Sequence, residues 1–410
     1  MAAQAIRTDI QPVVLAGDQA TYPIAREFHE AFGVTTICVV PDPIAIIQHS
    51  RFIEHYRVER LREDDIRAAL QDIAARHADK HVIVMANTDF LIECLERVEG
   101  DLPDNVICPL PPHDLMTRVS DKTTFQQLCA EYGMDVPRTE TVCLAGAEPI
   151  APSEIGFPLV AKPAASREYV TYFAKGFKKV YFMHGQAELD RLWADLREAG
   201  FAGDFLVQEL ISGDDTYMDS LTLYVNRRGR TTMFASAQVL LEDHAPTLLG
   251  NPVSMITKPL PEHWEKVAAM LEGIGWYGFA NIDLKRDPAT GRAIFMDMNP
   301  RIGANSYYAC VGGVNPMAVL VEDVVDGLDT VHRAEHRGLY SRCPASLTRK
   351  YVLDPKLRAE LDAIVAAGDV HNPVGYAADS LPTRLYGWLM KRNYIKKFAK
   401  WYPEVSETSF

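Results

Sequence analysis

Two aspartates in neighbouring predicted strands are the residues of this chain best suited to chemistry. Asp283 interrupts the apolar run 280–285, Asp297 interrupts the run 295–301, and the turn sequence Asp-Pro-Ala-Thr-Gly lies between them. The two runs should pair as a hairpin, with both carboxylates on one face and Asn299 pointing the same way. Two carboxylates and a carboxamide form a hard-oxygen site suited to Mg²⁺ that bridges phosphates. A solvated sheet face is the alternative, which the apolar flanking residues disfavour.

A lysine at the end of a predicted buried strand is the second candidate. Lys162 ends the run Val-Ala-Lys-Pro and precedes the small-residue turn 164–166. Lysine is seldom buried for packing alone, and a fixed ammonium with loop amides suits a phosphate. Taken alone, the segment is also compatible with an ordinary Lys-Pro turn.

The third candidate is the segment 206–215, where an apolar strand leads into Gln208-Glu209 and then into Gly-Asp-Asp. A purine could lie between apolar side chains while main-chain groups satisfy its edge, and Asp215 could hold ribose hydroxyls. A β-turn at a domain crossing explains this segment about as well when it is considered alone.

The elements that must position these residues begin with alternating strands and helices. Strands are predicted at 12–17, 35–40 and 81–86, with helices at 22–32 and 63–78 between them. Such alternation is typical of a parallel sheet with helices on both faces, and ligands bind beyond the carboxyl ends of its strands. Several residues occupy these ends, namely Gly17, Asp18, Asn87, Thr88 and Asp89.

Later segments follow different patterns. One helix is predicted over 114–132, and strands follow from 157 onward with a helix at 186–199. A larger strand-rich region spans 216–300, and the last eighty residues are predicted to be mainly helical. A change of pattern near 118 and the turn at Gly213 are the predicted domain boundaries.

Composition and charge exclude several classes of protein. The 410 residues are 48% hydrophobic and 24% charged, which is typical of globular proteins and not of disordered ones. The absence of an 18-residue apolar run and of a signal-peptide pattern predicts a cytoplasmic protein. A net charge of −13 argues against a protein built to hold nucleic acid. The seven cysteines form no CxxC pair and the histidines no HExxH group, so neither a disulfide framework nor a zinc site is expected.

Taken in order, the candidate segments resemble the ATP-grasp carboxylate–amine ligases over roughly 1–330. The segments that carry this resemblance are Asp121-Lys122, 160–163, 208–215, 281–283 and 297–301. Further segments resemble the D-aspartate ligases of the peptidoglycan cross-bridge. These are 13–18, 22–33, 162–169, 213–215, 240–243 and 250–251.

The resemblance implies a mixed α/β and α+β protein with an ATP-grasp fold. It implies an N-terminal parallel α/β domain at 1–118, a central ATP-grasp lobe at 119–215 and a C-terminal lobe with the metal site at 216–330. A helical C-terminal extension would occupy 331–410.

The resemblance also implies a role for each matched residue. Lys122 and Lys162 would contact nucleotide phosphates, with help from Lys178 or Lys179, and Lys162 and Arg301 would act in catalysis. Gln208, Glu209 and Ile211 would flank the adenine, and Asp215 would hold the ribose. Asp283, Asp297 and Asn299 would bind Mg²⁺, with two ions expected, and Arg301 would stabilise the transferring phosphoryl and acyl-phosphate groups. The remaining predicted contacts to substrate are Gly17, Asp18, Asp89, Gly303, Asn305 and Ser306.

Two positions depart from the family pattern. The second metal carboxylate is commonly Glu, whereas Asp297 is one methylene shorter. The loop after Lys162 also has fewer glycines than in many relatives, which leaves open which of its amides meet phosphate.

The implied reaction activates an amino-acid carboxylate, with D-aspartate as the best candidate, as an acyl phosphate. An amine, such as the side-chain amine of a peptidoglycan precursor, then displaces phosphate. Two alternatives remain open at this stage: a ligase of free amino acids that makes a dipeptide, and a non-catalytic ATP-binding sensor. The partners expected are small molecules, with a homodimer as one compatible assembly and no nucleic acid.

The general base and the covering loop are less well defined by the sequence. Asp18, Asp89 and His244 are candidate bases, and each is also compatible with a structural role. The loop at 240–251 has the length of a lid or a substrate contact that keeps water from an acyl phosphate.

The tail at 384–402 combines aromatic residues with six basic residues and no acidic one. Such a composition can lie at an anionic membrane surface. Its apolar residues, however, surround most of a helical projection, so we expect the tail to dock on the body with its lysines solvated. Contact with an anionic substrate or a partner chain is a third interpretation.

Overall fold

The computed structural model describes residues 6–146, 148–164, 166–246 and 248–406, with the backbone alone at 166–168 and 170. Its strands form three sheets. Ala165 and Thr247, which belong to the predicted phosphate turn and covering loop, lie outside the described residues.

The first sheet is parallel and has the strand order β3-β2-β1-β4-β5. Its strands are β1 Ile10–Leu15, β2 Thr36–Val40, β3 Ile53–Arg57, β4 His81–Ala86 and β5 Val106–Ile107, and its helices are α1 Thr21–Phe32, α2 Ala45–Gln48, α3 Glu63–Arg76 and α4 Asp89–Glu99. The predicted alternation is confirmed. Strand β3 was not predicted because its residues, Ile-Glu-His-Tyr-Arg, are mostly polar and only Ile53 is buried.

The prediction of one helix over 114–132 was wrong. Two helices, α5 His113–Ser120 and α6 Lys122–Glu131, meet at Asp121. The backbone of Asp121 is extended, and its carboxylate accepts a hydrogen bond from Thr124 N at 2.8 Å. Aspartate favours this capping geometry over a helix interior, so it begins a new helix.

The second sheet is antiparallel and has the strand order β6-β9-β7-β8. Its strands are β6 Thr139–Cys143, β7 Leu159–Pro163, β8 Tyr181–Met183 and β9 Asp204–Glu209, and its helices are α7 Ser166–Phe173 and α8 Gln186–Glu198. Tyr169, Trp193 and Phe205 are buried in its core. Lys162 and Gln208 therefore lie on strands that a compact apolar core holds in place.

The third sheet has the order β14-β13-β10-β11-β12-β16-β17, with β15 beside β11. Its strands are β10 Met218–Val225, β11 Thr231–Glu242, β12 Pro252–Thr257, β13 Gly278–Arg286, β14 Ala293–Asn299, β15 His332–Arg333, β16 Leu339–Ser341 and β17 Val370–His371. Its helices are α9 Pro261–Gly273, α10 Tyr308–Val311 and α11 Pro316–Val324. The C-terminal extension, expected to be helical, also contributes β15, β16 and β17 to this sheet.

The predicted docking of the tail is confirmed. The extension contains α12 Ala345–Tyr351, α13 Pro355–Ala366 and α14 Leu381–Trp401. Tyr394, Phe398 and Tyr402 are buried against Leu241, Val253 and their neighbours. One lysine departs from the expectation of full solvation, because Lys397 forms an ion pair with the buried Asp243. Among the described residues, no helix combines the length and apolar character that crossing a bilayer requires.

Candidate active site

A cavity of about 1060 Å³ collects most of the predicted site residues. It is bordered by the carboxyl end of β4, by β7 and β9 of the second sheet, and by β13 and β14 of the third. The predicted residues that line it are Asp89, Lys122, Lys162, Lys179, Gln208, Glu209, Ile211, Asp215, Asp283, Asp297, Asn299, Arg301, Gly303 and Asn305.

The acidic hairpin of the cavity has the predicted geometry. Strands β13 and β14 are antiparallel, and Asp283 lies directly opposite Asp297. Asn281 lies opposite Asn299 two residues along, so all four side chains are on the same face of the sheet. This face presents two carboxylates and two carboxamides to the cavity.

The two carboxylates differ in their electrostatic surroundings. Burial raises the pKa of Asp283 to about 6, and the neighbouring Asp297 adds to the effect. Burial would also raise the pKa of Asp297, but Lys122, which forms an ion pair with it, and the nearby Lys162 together lower that pKa. The negative charge of Asp297 is therefore compensated by lysines, whereas that of Asp283 is compensated only in part.

Lysines gather beside this acidic face. Burial lowers the pKa of Lys162 to about 8, and the nearby ammonium groups of Lys122 and Lys179 lower it further. Lys162 forms no hydrogen bond or ion pair through its ammonium group with another described side chain. A half-buried ammonium among other cations is stabilised by an anion, and a polyphosphate is an anion of suitable charge and reach.

Part of the cavity lining is apolar and suits a nucleoside. The apolar residues of this lining include Val160, Ile211, Met218 and Met298. The side chain of Gln208 donates to Thr139 Oγ1 at 2.9 Å, and that of Glu209 accepts from Arg138 Nε at 2.9 Å. Because both side chains have protein partners, contacts from this strand to a base would come largely from the main chain.

Asp215 has one occupied and one free carboxylate oxygen. Its Oδ2 accepts from Glu242 N at 2.8 Å and bonds to His244 Nε2 at 3.0 Å. Its Oδ1 is buried and has no hydrogen-bond partner among the described residues. A buried acceptor without a partner is costly, and a hydroxyl group of a ligand in the cavity would satisfy it.

Arg301, which follows strand β14, connects the third sheet to the first. Its Nε donates to Asp89 Oδ1 at 2.7 Å, and its Nη2 lies 3.3 Å from Asn299 Oδ1. Asp89 begins α4 at the carboxyl end of β4, so the ion pair joins residues 212 positions apart. Two of the three candidate bases, Asp89 and His244, are therefore already paired with site residues.

Three predicted substrate contacts do not line the cavity. Asp18 Oδ1 accepts from the backbone N–H groups of Ala20 and Thr21 at the start of α1. Ser306 donates to the buried Glu27 at 2.7 Å. Gly17 packs so closely on β2 that a Cβ there would lie 2.2 Å from Val40 Cγ2. Each of these residues has a structural role that accounts for its type.

Other cavity residues were not predicted from the sequence. They include Asn281, Lys285, Glu242 and Arg342. Asn281 and Lys285 alternate with Asp283 along β13, so the two-residue strand period could have indicated them. Burial, with the charge of Asp215 nearby, raises the pKa of Glu242 to about 8. Arg342 has no such local signal, because it reaches the cavity from the C-terminal extension.

No group of three His, Cys, Asp or Glu side chains is placed to hold a metal within the described part of the chain. The candidate metal site rests instead on two carboxylates and neighbouring carboxamides, a donor set that Mg²⁺ accepts when phosphate oxygens and water complete its shell.

Sequence comparison gives a relative that spans almost the whole chain. No family model matches. D-Aspartate ligase of Enterococcus faecium (strain Aus0004) is 27% identical over an alignment of 410 positions that covers 95% of this chain and 96% of that protein. The carbamoyl phosphate synthase large chain of Clavibacter michiganensis subsp. michiganensis (strain NCPPB 382) is 25% identical over 214 residues, which cover 50% of this chain and 18% of that protein.

Solved structures share the fold. An ADP complex of N5-carboxyaminoimidazole ribonucleotide synthetase has a TM-score of 0.54 at 13% identity over 79% of each chain. The biotin carboxylase domain dimer of Hydrogenobacter thermophilus 2-oxoglutarate carboxylase, solved with MgADP, has a TM-score of 0.56 at 15% identity over 80% of this chain and 73% of that one. The predicted ATP-grasp fold is confirmed. The chain thus has the ATP-grasp fold, and it is similar in sequence over nearly its whole length to a D-aspartate ligase.

Proposed function

We propose that the protein uses ATP and Mg²⁺ to activate the carboxylate of an amino acid, with D-aspartate as the best candidate, and joins it to an amine. The observation that carries the proposal is the shared face of Asp283, Asp297 and Asn299 beside a cluster of lysines, within one cavity whose lining is also partly apolar. This arrangement can hold a nucleoside triphosphate and still leave room for a second substrate.

The acidic face fits Mg²⁺ on the evidence of its own chemistry. Asp283 and Asp297 are directly opposed and half-buried, and the raised pKa of Asp283 reflects incomplete compensation of its charge. A cation bound to both would remove that cost. Asp283, Asp297 and Asn299 would hold the metal, with two ions expected, and the metal would supply charge neutralisation at the phosphates.

The chain's other residues would bind and orient ATP. Lys162 would meet phosphate oxygens directly, and Lys122 and Lys179 would add positive charge around them. The free Oδ1 of Asp215 would accept from a ribose hydroxyl. The main chain of Glu209 and Ile211 would face the adenine edge, which agrees with the side chain of Glu209 being tied to Arg138.

The reaction would proceed in two displacements. The substrate carboxylate attacks the γ-phosphorus of ATP and forms an acyl phosphate and ADP, and the amine then attacks the acyl carbon and releases phosphate. Arg301 would stabilise the charge of the transferring group in both steps, held in position by Asp89. Gly303 and Asn305, which follow Arg301 in the cavity wall, would contact the acyl group.

The identity of the substrates rests on the sequence relative. Similarity to D-aspartate ligase over 95% of the chain supports D-aspartate as the acid. The segments that resemble the cross-bridge ligases make a peptidoglycan precursor the proposed source of the amine, ahead of the dipeptide-forming and sensor alternatives. Because ATP is abundant in the cytoplasm, we place the reaction there.

The proposed domains are 1–118, 119–215, 216–330 and 331–410. The division is supported by sheets whose strands lie within 10–107, within 139–209 and from 218 onward. Strands β15 to β17 tie the last segment to the third sheet. A homodimer is a further expectation, which size-exclusion chromatography with light scattering would test.

The function is tested by an ADP-release screen of D- and L-amino acids against amines that include peptidoglycan precursors. We expect release that requires Mg²⁺, one acid and one amine, with amide product in equal amount. The matched control is Asp297→Asn, which should bind neither metal nor ATP productively. ATP binding without ADP release for every pair would contradict the proposal and favour a sensor.

A further inference from the structure

Arg342 is a positively charged residue of the C-terminal extension that lines the cavity. It follows β16, which pairs with β12 in the register Ser341 opposite Ser254. Its own N–H donates to Val253 O at 2.9 Å, so its backbone is fixed by the ladder of the sheet. The side chain therefore projects from a rigid position.

The guanidinium of Arg342 has no carboxylate partner among the described side chains. Its Nη2 donates to the neutral amide oxygen Gln19 Oε1 at 2.5 Å, and the group lies 6.0 Å from the ring centre of Tyr394. The acidic residues of its surroundings are Asp18 and Asp243. Asp243 is ion-paired with Lys397, and Asp18 accepts from the backbone at the start of α1.

Arg301 provides the contrast within the same cavity. Its guanidinium is bound to Asp89 at 2.7 Å, so its charge is already balanced in part. A half-buried guanidinium that faces a cavity with only a neutral partner is suited to an anionic group of a ligand, and its planar fork matches a carboxylate.

The location of Arg342 separates it from the phosphate-binding lysines. Its partner Gln19 follows β1 at the carboxyl end of the parallel sheet, which is where ligands bind in such sheets. Lys122 at the start of α6 and Lys162 on β7 instead gather at Asp297 on β14. The cavity thus has two distinct cationic places, and the polyphosphate accounts for only one of them.

We propose that Arg342 binds the carboxylate of a dicarboxylic amino acid that is not activated, and so selects acids of the aspartate type. The inference rests on the proposed function, because it assigns a second carboxylate of the same substrate. Gln19 acts as a positioning residue that directs the guanidinium toward the cavity.

The test compares Arg342→Gln and Arg342→Lys with the control Arg337→Gln. Arg337 belongs to the same extension, but it is exposed and paired with Glu360 at 2.8 Å. With D-aspartate as the acid, we expect Arg342→Gln to raise its KM by about 10–100-fold, Arg342→Lys to raise it less, and the KM for ATP to stay within about twofold.

Two amides of the acid make the assignment specific. D-Asparagine and D-isoasparagine each lack one carboxylate, and the wild-type enzyme should strongly prefer D-aspartate to whichever amide keeps the activated group. In Arg342→Gln this preference should nearly disappear.

An unchanged KM for D-aspartate, or a higher KM for the amine alone, would overturn the assignment to the acid. If either Arg342 variant is unstable, calorimetry can measure the affinity of the other variant for D-aspartate in the presence of ADP. That affinity should be lower than the affinity of the wild-type protein. Absence of turnover by the wild-type protein with every acid would instead refute the proposed function itself.

Discussion

A stacked pair of rings joins the C-terminal tail to the histidine that bonds to Asp215, and this contact yields a sharp prediction. Tyr402 stacks on His244 with ring centres 3.6 Å apart and an angle of 5° between the planes. His244 in turn bonds to Asp215 Oδ2 at 3.0 Å. Replacing Tyr402 with alanine should therefore lower the free energy of unfolding and also weaken the binding of ATP.

The magnitudes follow from the surroundings of the ring. Tyr402 is 8% exposed and also packs on Tyr351, so truncation should cost about 3 kcal/mol of stability. The effect on ATP should be smaller, because the N–H of Glu242 still holds Asp215 at 2.8 Å. Loosening one of two hydrogen bonds costs about 1 kcal/mol, which corresponds to a roughly fivefold rise in the KM for ATP. The kcat should change little, because a ribose contact is present in both ground and transition states.

Thermal unfolding and steady-state kinetics of Tyr402→Ala would measure both effects. Tyr402→Phe is the matched control, because it keeps the stacked ring and loses only the hydroxyl group, which accepts from Ser406 N at 2.9 Å. The control should behave nearly as the wild-type protein does. A destabilised Tyr402→Ala with an unchanged KM for ATP would show that His244 holds Asp215 without help from the tail, and unchanged stability would contradict the docked tail altogether.

Three further outcomes are expected. Asp283→Asn and Asp297→Asn should each abolish ADP release at ordinary Mg²⁺ concentration, because Mg²⁺ loses a carboxylate ligand and no longer neutralises the phosphates. Circular dichroism of both variants should match that of the wild-type protein, because the hairpin keeps its packing. Lys162→Ala should raise the KM for ATP, whereas Arg301→Ala should mainly lower kcat, since only the latter meets charge that develops during transfer. Because the pKa of Lys162 is lowered to about 8 and phosphate binds its charged form, the KM for ATP should rise with pH above 8, by up to about tenfold per unit, and Lys162→Arg should flatten that rise.

Each of these outcomes has a clear contradiction. Turnover near the wild-type rate in either aspartate variant would refute the metal assignment. A kinetic pattern with the roles of Lys162 and Arg301 exchanged would reverse the two assignments. A KM for ATP that is level from pH 7 to 10 would show that the ammonium of Lys162 does not meet the phosphates.

The sequence was most informative where chemistry and strand period coincide. Asp283, Asp297 and Asn299 could be placed together because a turn sequence fixes the hairpin and the two-residue period fixes the face. The same period would have added Asn281 and Lys285. The mixed fold could also be predicted, because alternating strand and helix patterns in the first hundred residues admit few arrangements.

Contacts between distant elements were not accessible to the same reasoning. The ion pair of Arg301 with Asp89 depends on how the first sheet sits against the third, which no local pattern encodes. Asp18 and Ser306 were chosen for their positions next to strand ends or motifs, yet their side chains bond to the backbone of α1 and to Glu27. A polar residue at a strand end can serve the local backbone as readily as a ligand, and only the three-dimensional structure separates the two.

The C-terminal extension is the part of the chain whose role changes most when the structure is considered. The motif order covers roughly 1–330, and from it alone the extension would be an accessory helix. The extension instead places Arg342 in the cavity wall and stacks Tyr402 on the histidine that holds Asp215. It therefore reaches the proposed acid-binding place and the proposed ribose-binding place together. Similarity to D-aspartate ligase over 95% of the chain agrees with this, because a tail that forms part of the site should be retained along with the nucleotide-binding lobes.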